Sequence, residues 1–316
     1  MARTPAFGFL ARAIALARAS TTQVRPIADC AAGFEAQAAA ASRRQFLRAA
    51  GYAATAAALA GCATPGGGSS DGADVVVVVG NDQREVFQDD FTGAFTVFCG
   101  TEIPNVPMDA DRRSRLPPGI AIAEEGHCPP EGAVYPGSPH LARALVRSMM
   151  GDGFDIAQSG RLPTGHDRQL GIPHAFGFLY RRIMQDSPPP SVPVFVNCGV
   201  PDNIPSAARC LEFGHALHRA IASWPHELRV VLMASGGWTH FVIDEALDRQ
   251  FLHGMQTGDE AALKAIPEKM FQGNTAEMKN WYPVAAAMHD RGLKFRLVDY
   301  VPCYRTEAGT GNALGF

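Results

Sequence analysis

The sequence predicts an α/β protein: a central, mostly parallel sheet with helices on both faces and an active-site crevice at the carboxyl edge. Val75 to Val79 and Leu228 to Met233 are continuous apolar runs without polar alternation, which is typical of strands covered on both faces. A third run, Ser191 to Asn197, is followed by an amphipathic helix from Ala207 to Trp224, which leads into the Leu228 strand. This order of strand, helix and strand predicts a right-handed parallel crossover.

Composition and charge narrow the classes of function. The chain of 316 residues carries 28 Lys and Arg against 31 Asp and Glu, a net charge of −3, with both signs scattered. It has no basic stripe that would indicate nucleic-acid binding. Its seven cysteines are widely spaced, with no CxxC pair, which argues against a thiolate zinc site and a disulfide scaffold. No run is long and apolar enough to predict a transmembrane helix.

Residues 1–72 differ from the rest, because they are rich in Ala, Arg, Ser and Gly and lack the Val and Ile runs of a sheet. The pair Arg43 and Arg44 precedes a weakly apolar stretch, and small residues then lead to Cys62. This order resembles a twin-arginine export signal with lipid anchoring at Cys62, followed by a Gly/Ser linker. The alternative is an alanine-rich surface helix in a cytoplasmic protein. The globular domain is predicted to span residues 73–316.

The other predicted elements alternate between short strands and helices. A Pro- and Gly-rich stretch from Phe91 to Gly137 predicts a long irregular insertion, which is often functional or a lid. The segment that begins at Gly171 leads into a short helix ending near Met184. Further helices are predicted from His140 to Met150, Asp244 to Met255, Glu260 to Met270 and Ala276 to Met288, and further strands from Asp155 to Ala157 and Phe295 to Val301.

Two residues are candidates for chemistry. A turn containing Gly236 and Gly237 places His240 just past the carboxyl end of the Leu228 strand. Ligands of open α/β sheets bind beyond these strand ends, so His240 is a candidate base; the alternative is an ordinary half-buried histidine. Glu277 is predicted in the first turn of its helix, where unpaired N–H groups favour a carboxylate. It is therefore either a metal ligand or an ordinary helix-end charge.

Several motifs, taken in order across residues 73–316, resemble one family. They are Val75 to Val79 with Asn81 and Asp82, Pro193 to Asn197 with Ala207 to Cys210, Gly236 to His240, Gly273 to Glu277 with Trp281, and Val301 through Ala313. Together they are similar to the class III extradiol ring-cleavage dioxygenases, of the protocatechuate 4,5-dioxygenase catalytic (β) subunit type.

The resemblance implies a non-haem Fe(II) enzyme that opens a catecholic aromatic ring with O2, with the iron held by two histidines and one glutamate. By motif match, Glu277 is the carboxylate ligand and His240 is the acid–base histidine. The family's second histidine follows the Asn-Asp pair, where this chain has Gln83, and residues 1–72 contain no histidine to match the first. An amide oxygen is a poor substitute for imidazole on Fe(II).

A substrate pocket is expected around His174, His127, Trp238 and Thr310. The two histidines lie in predicted loops that can overhang the crevice, whereas core packing explains Trp238 equally well. The resemblance also implies a small α-type partner subunit or a homo-oligomer. Two other hypotheses stay open: an aromatic-binding homologue without a complete iron site, and a different metal enzyme that uses His127 or His174 with Glu277.

Overall fold

The computed structural model describes residues 72–88, 90–116, 118–165, 168, 171–304 and 310–315. The predicted export signal and Cys62 therefore lie outside the described residues. The strands are β1 (Val75–Gly80), β2 (Phe95–Phe98), β3 (Glu102–Asn105), β4 (Ala133–Pro136), β5 (Ala157–Ser159), β6 (Ser191–Val196), β7 (Val230–Ala234), β8 (His240–Val242), β9 (Tyr300–Tyr304) and β10 (Thr310–Gly315).

Helices of three kinds connect these strands. The α-helices are α1 (Ala110–Arg115), α2 (Pro118–His127), α3 (Pro139–Gly151), α4 (His174–Phe178), α5 (Ala207–Ala222), α6 (Glu245–Thr257), α7 (Glu260–Lys264) and α8 (Trp281–Asp290). A π-helix (Leu179–Ile183) continues α4, and two 3-10 helices (Glu268–Met270 and Gly273–Asn280) precede α8. Among the described residues, no helix is long and apolar enough to cross a membrane.

The central sheet has the strand order β5-β2-β6-β1-β7. β1 lies between β6 and β7 and runs parallel to both. β2 is antiparallel to β6, and β5 is parallel to β2. The prediction of a mostly parallel sheet is thus confirmed. Because β1, β6 and β7 share one direction, their carboxyl ends meet at the same edge.

Both faces of the sheet are covered, which explains the unbroken valine run. Val75, Val77 and Val79 contribute to a cluster that also includes buried residues of α3, α5, α6 and α8. Val76 and Val78 point to the opposite face, where the cluster includes residues of α4 and the π-helix. Burying an aliphatic side chain of this size stabilises the fold by roughly 1.5–3 kcal/mol, so polar alternation along β1 would be costly.

A second, smaller sheet has the order β8-β10-β9 and lies beside the carboxyl edge. In it, β10 pairs antiparallel with both neighbours, and Asn312 is opposite His240. The helix that follows β8, α6, begins at Asp244, whose side chain accepts hydrogen bonds from the backbone N–H groups of Ala246 and Leu247. Such an N-cap fixes where the chain turns from strand to helix.

The region from Phe91 to Gly137 was predicted as irregular, and this prediction is wrong. It contains β2, the paired strands β3 and β4, and the helices α1 and α2. The many Pro and Gly residues mark turns between short elements. Short strands of this kind are defined by their pairing partners, which local sequence does not reveal.

Three predicted elements near the carboxyl terminus have different bounds. The helix expected from Ala276 is a 3-10 helix until Asn280, and the α-helix starts only at Trp281. Pro283 explains the difference, because its nitrogen has no hydrogen to donate to the preceding turn and is tolerated only near a helix start. Similarly, α7 ends at Lys264, ahead of Pro267, and the last predicted strand begins at Tyr300 rather than Phe295 because its partner is β10.

Candidate active site

Three segments converge at the carboxyl edge of the sheet and bring together three of the predicted site residues. The loop after β1 carries Gln83, whose Nε2 donates a hydrogen bond to Oε1 of Glu277 in the second 3-10 helix. His240, at the start of β8, places its Nε2 3.5 Å from Oε2 of Glu277. His240 and Glu277 are 8% and 7% exposed, so this contact is buried.

Gly236 makes this close approach possible. Its φ of +130° is in a region that L side chains rarely adopt, and an added Cβ would lie 3.0 Å from Cβ of Glu277 and 3.2 Å from Nδ2 of Asn280. The turn after β7 therefore requires glycine both for its backbone conformation and for the space that the 3-10 helix occupies.

Asn280 ties the same segments together and was missed by the sequence analysis. Its side chain is completely buried, and Nδ2 donates to Oδ1 of Asn81 at 3.0 Å and to the carbonyl of Ser235 at 2.7 Å. The Cys198 thiol donates to its Oδ1 at 3.4 Å. Asn81, Cys198 and Ser235 follow β1, β6 and β7, so a single amide joins the ends of all three parallel strands.

The hydrogen bonds of His240 define which ring nitrogen titrates. Nδ1 lies 2.8 Å from the carbonyl oxygen of Trp238, and a carbonyl only accepts, so Nδ1 carries the hydrogen. Nε2, which faces Glu277, is therefore the nitrogen that gains or loses a proton. Burial disfavours the charged ring, but the hydrogen bond and the charge of Glu277 outweigh burial and raise the pKa of His240.

Asp248 holds the start of β8 in place through hydrogen bonds. This completely buried carboxylate accepts hydrogen bonds from the backbone N–H of Thr239 at 3.0 Å, from Thr239 Oγ1 at 2.8 Å and from Tyr300 OH at 2.6 Å. Burial raises the pKa of Asp248, and these hydrogen bonds lower it in part. Because Thr239 precedes His240, the network links α6 and β9 to the position of the histidine.

A second pair of a carboxylate and a histidine lies beside the first. Both oxygens of Glu85 bind His174, one through the backbone N–H at 2.8 Å and the other through Nδ1. The ring centroid of His174 is 6.0 Å from that of His127, so the structure brings these two predicted pocket residues together. His127 is mostly buried, and its Nδ1 has no hydrogen-bond partner in the part of the chain that is described.

His174 and His127 carry different charges. Burial opposes the charge of His174, but the Glu85 carboxylate outweighs burial and raises the pKa of His174 to about 9. Burial lowers the pKa of His127 to about 4. Burial alone would raise the pKa of Glu85, yet His174 lowers it overall. At neutral pH, His174 is therefore cationic and His127 is neutral.

The other predicted pocket residues have separate positions. Trp238 is completely buried and packs against Phe251, Trp281 and Tyr300, so core packing accounts for it. Thr310 begins β10 and pairs with Val242. Its role in a pocket stays a prediction. An open cleft of about 460 Å³ lies elsewhere, lined by residues after β1, within β5 and after β5: Phe87, Phe91, Gln158, Ser159, Gly160, Arg161 and Pro163.

The donor set around Glu277 does not fit an iron site of two histidines and one carboxylate. Within the described ranges, no group of three His, Cys, Asp or Glu side chains is arranged to hold a metal ion. Beside Glu277 stand one imidazole, from His240, and one amide, from Gln83, which turns its donor group toward the carboxylate. An Fe(II) site of this type requires two histidine nitrogens in addition to the carboxylate.

Two further residues of the site, Glu85 and Asp248, were also missed by the sequence analysis. Glu85 lies in the polar loop after β1, so its place at the crevice could be expected, but its pairing with His174, 89 positions away, could not. Asp248 reads as one more charge in an amphipathic helix. The only hint of its burial is the pattern of apolar neighbours, Leu247 and Phe251, on the same helix.

The fold and the site define a class: an α/β protein with a histidine–carboxylate centre at the carboxyl edge of a mostly parallel sheet. The chain belongs to the family described as the catalytic LigB subunit of aromatic ring-opening dioxygenase, which matches residues 121–308. The matched region includes His127, His174, His240 and Glu277, whereas Gln83 precedes it. The narrower resemblance to the protocatechuate 4,5-dioxygenase type stays a prediction.

Similar proteins include two dioxygenases. Gallate dioxygenase of Pseudomonas putida KT2440 is 33% identical over 125 residues, which are 39% of this chain and 35% of that protein. The 2,3-dihydroxyphenylpropionate/2,3-dihydroxicinnamic acid 1,2-dioxygenase of Comamonas testosteroni is 35% identical over 100 residues, 32% of this chain and 29% of that protein. The matches thus span about a third of the length of these relatives.

Among solved structures, the uncharacterized protein JW3007 from Escherichia coli K12 aligns with 77% of this chain and 85% of its own, at 19% identity and a TM-score of 0.37.

Proposed function

We propose that this protein binds a catecholic aromatic compound at the crevice beyond β1 and β7, with His240 as the proton acceptor. The observation that carries the proposal is the 3.5 Å contact between Nε2 of His240 and Oε2 of Glu277. The neutral ring of His240 and the carboxylate of Glu277 can each accept a hydrogen bond, and they lie at the sheet edge where ligands of this architecture bind. Family membership supports an aromatic ligand.

The spacing of the two acceptors suits a vicinal diol. Adjacent hydroxyl groups on an aromatic ring are separated by about the length of one hydrogen bond, so one can donate to His240 and the other to Glu277. A diol placed there replaces the contact between the two residues with one hydrogen bond to each. Transfer of one hydroxyl proton to Nε2 then leaves a catecholate next to an imidazolium, and the attraction between the two charges offsets part of the cost of burying them.

We also propose a second candidate function, ring opening next to the diol with O2 as co-substrate, as in an extradiol dioxygenase. It is favoured by membership of a family of ring-opening dioxygenases and by the names of the two relatives. Fe(II) would supply O2 activation in such a reaction. Because the described donor set does not fit iron, we assign no step of this reaction to a metal, and an α-type partner subunit or a homo-oligomer stays part of the proposal.

Binding and turnover can be measured on the same preparations. Anaerobic titration calorimetry with a panel of catechols, with and without a ring carboxylate, measures binding. An oxygen electrode measures O2 consumption after anaerobic Fe(II) reconstitution, together with metal content. The variants are His240→Ala and Glu277→Ala, and the control is His253→Ala, an exposed histidine on α6.

We expect catechol binding in the wild type and in His253→Ala, and an affinity weaker by about tenfold or more in the two site variants, since each loses a buried hydrogen-bond partner. Binding that is equal in all four proteins, or absent from the wild type, would contradict the proposal. O2 consumption that depends on His240 and Glu277 would support ring opening. Binding without O2 consumption would support the binding function and contradict ring opening.

A further inference from the structure

We infer that the Glu277 site recognises its diol by direct hydrogen bonds, and that Gln83 excludes a divalent cation from bridging the protein and the diol. The inference deepens the proposed function and rests on its claim of diol binding. It follows from the orientation of one amide, the fixed position of its loop and the number of imidazoles nearby.

The amide of Gln83 presents its donor side to Glu277. A carboxylate has no hydrogen to donate, so the contact with Oε1 of Glu277 requires the NH₂ group of Gln83 and turns its oxygen away. A cation at this place would meet the partial positive charge of the amide hydrogens. If the amide were flipped, two oxygen acceptors would oppose each other and the hydrogen bond to the carboxylate would be lost.

The loop that carries Gln83 is fixed on both sides. The Asp82 carboxylate accepts hydrogen bonds from the backbone N–H groups of Val86 at 3.0 Å and Phe87 at 2.8 Å. Three positions after Asp82, the Glu85 carboxylate accepts a hydrogen bond from the backbone N–H of His174 at 2.8 Å. Gln83 itself has a φ of +51°. A loop held at Asp82 and Glu85 keeps the amide against Glu277.

The imidazoles of His240 and His174 each use Nδ1 for a hydrogen bond within the protein. His240 uses Nδ1 for the carbonyl of Trp238, and His174 uses Nδ1 for Glu85. Each therefore has only Nε2 left for a ligand, as metal-bound histidines also do, so it is the number of ligands around Glu277 that argues against a metal. Among the residues that the structure describes, these groups do not combine with Glu277 into a set of three around one point. Hydrogen bonding remains the mode of recognition that this arrangement supports.

The hydrogen bond from Gln83 also prepares Glu277 for the diol. One carboxylate oxygen is occupied by the amide, and the other faces His240 at 3.5 Å. A diol hydroxyl thus finds one acceptor oxygen at a defined place, next to the acceptor nitrogen that takes the second hydroxyl. The ligand class is an uncharged aromatic vicinal diol, which donates two hydrogen bonds and brings no metal with it.

The test uses the full chain, stripped of metal with EDTA and kept anaerobic, with 1,2-dihydroxybenzene as the probe. Diol affinity is measured by calorimetry in EDTA. Retention of Fe(II) and of Co(II) is measured separately, as metal per chain after gel filtration. The variants are Glu277→Gln, Gln83→His and the matched control Glu227→Gln, an exposed carboxylate that precedes β7, whereas the site lies beyond the carboxyl end of that strand.

We expect diol affinity to be unchanged by EDTA, about tenfold weaker in Glu277→Gln and unchanged in Glu227→Gln. Wild-type protein should retain far less than one metal ion per chain, and Gln83→His should retain more, because it adds an imidazole beside Glu277 and His240. The EDTA comparison needs no variant, so it stands even if Glu277→Gln does not fold.

Three results would overturn the inference. Diol binding that EDTA abolishes and Fe(II) restores, with about one metal ion per chain, would do so while leaving the proposed function intact. Unchanged affinity in a folded Glu277→Gln protein would remove Glu277 from recognition but leave binding itself. No diol binding under any condition would overturn the inference and the proposed function together.

Discussion

At the scale of single residues, the site depends on positions where the packing allows only one kind of side chain, or only glycine. Gln83 and Arg84 are consecutive non-glycine residues with positive φ, 51° and 62°. Such conformations cost of order 1–3 kcal/mol each and persist only where surrounding contacts hold them. Here the contacts are those that Asp82 and Glu85 make on either side.

Gly236→Ala should destabilise the protein by about 1–3 kcal/mol, because the new methyl group meets Glu277 and Asn280 and because the backbone is in a region unfavourable to alanine. Urea denaturation measures the change in the free energy of unfolding. Gly199→Ala is the control, since an added Cβ at that exposed glycine meets nothing within 4 Å. Equal stabilities for the two variants would show that the turn is not constrained as described.

At the scale of elements, the fold joins α6, β8 and β9 through one buried carboxylate. Asp248 lies on α6, Thr239 precedes β8 and Tyr300 begins β9. A buried charge is stable only when its hydrogen bonds are satisfied. Tyr300 OH and Thr239 Oγ1 both donate to Oδ2 of Asp248, so loss of the tyrosine hydroxyl leaves that buried oxygen with one donor instead of two.

Tyr300→Phe should therefore cost about 1.5–3 kcal/mol of unfolding free energy, the range for a hydrogen bond to a charged group. The ring that stacks on Trp238 is kept, so the measured loss reports the hydroxyl. Tyr304→Phe is the matched control, because its OH binds Glu245, which is partly exposed, at 2.9 Å. A loss no larger than that of the control would contradict a special role for Asp248. Chemical denaturation provides the measurement.

Elements with a strong local pattern were predictable from the sequence, and elements defined by distant partners were not. The valine run, the Ser191 strand and the Ala207 helix were placed within two residues of their bounds. Burial on both faces and a regular apolar stripe are both visible in the local sequence. β2, β3 and β4 were missed, because each is short and exists through pairing. His240 and Glu277 were identified, whereas Glu85 and Asn280 depend on contacts across most of the chain.

At the scale of the whole molecule, stability should depend on pH through the loop after β1. The pKa of His174 is raised from 6.5 to about 9 in the folded protein, so its ion pair with Glu85 stabilises the fold fully below pH 6.5. That contribution is lost as the pH rises through about 9.

The free energy of unfolding should thus fall between pH 6.5 and 9 in the wild type, and fall less in His174→Gln. His253→Gln, at an exposed position on α6, should keep the wild-type slope. The measurement is urea denaturation at several pH values, in which the slopes rather than the absolute stabilities are compared. A His174→Gln slope equal to that of the wild type would mean that the ion pair does not form in solution.

The convergence of distant segments at Glu277 also sets an order for biogenesis. Gln83 and Glu277 are 194 positions apart, and Asn81 and Asn280 are 199 apart. A ribosome adding about 5–20 residues per second makes the carboxylate roughly 10–40 s after the amide. All five strands of the central sheet precede the second 3-10 helix in the chain. The central sheet can therefore assemble first on the ribosome, and the site forms afterwards, when Glu277 and Asn280 emerge and dock against it.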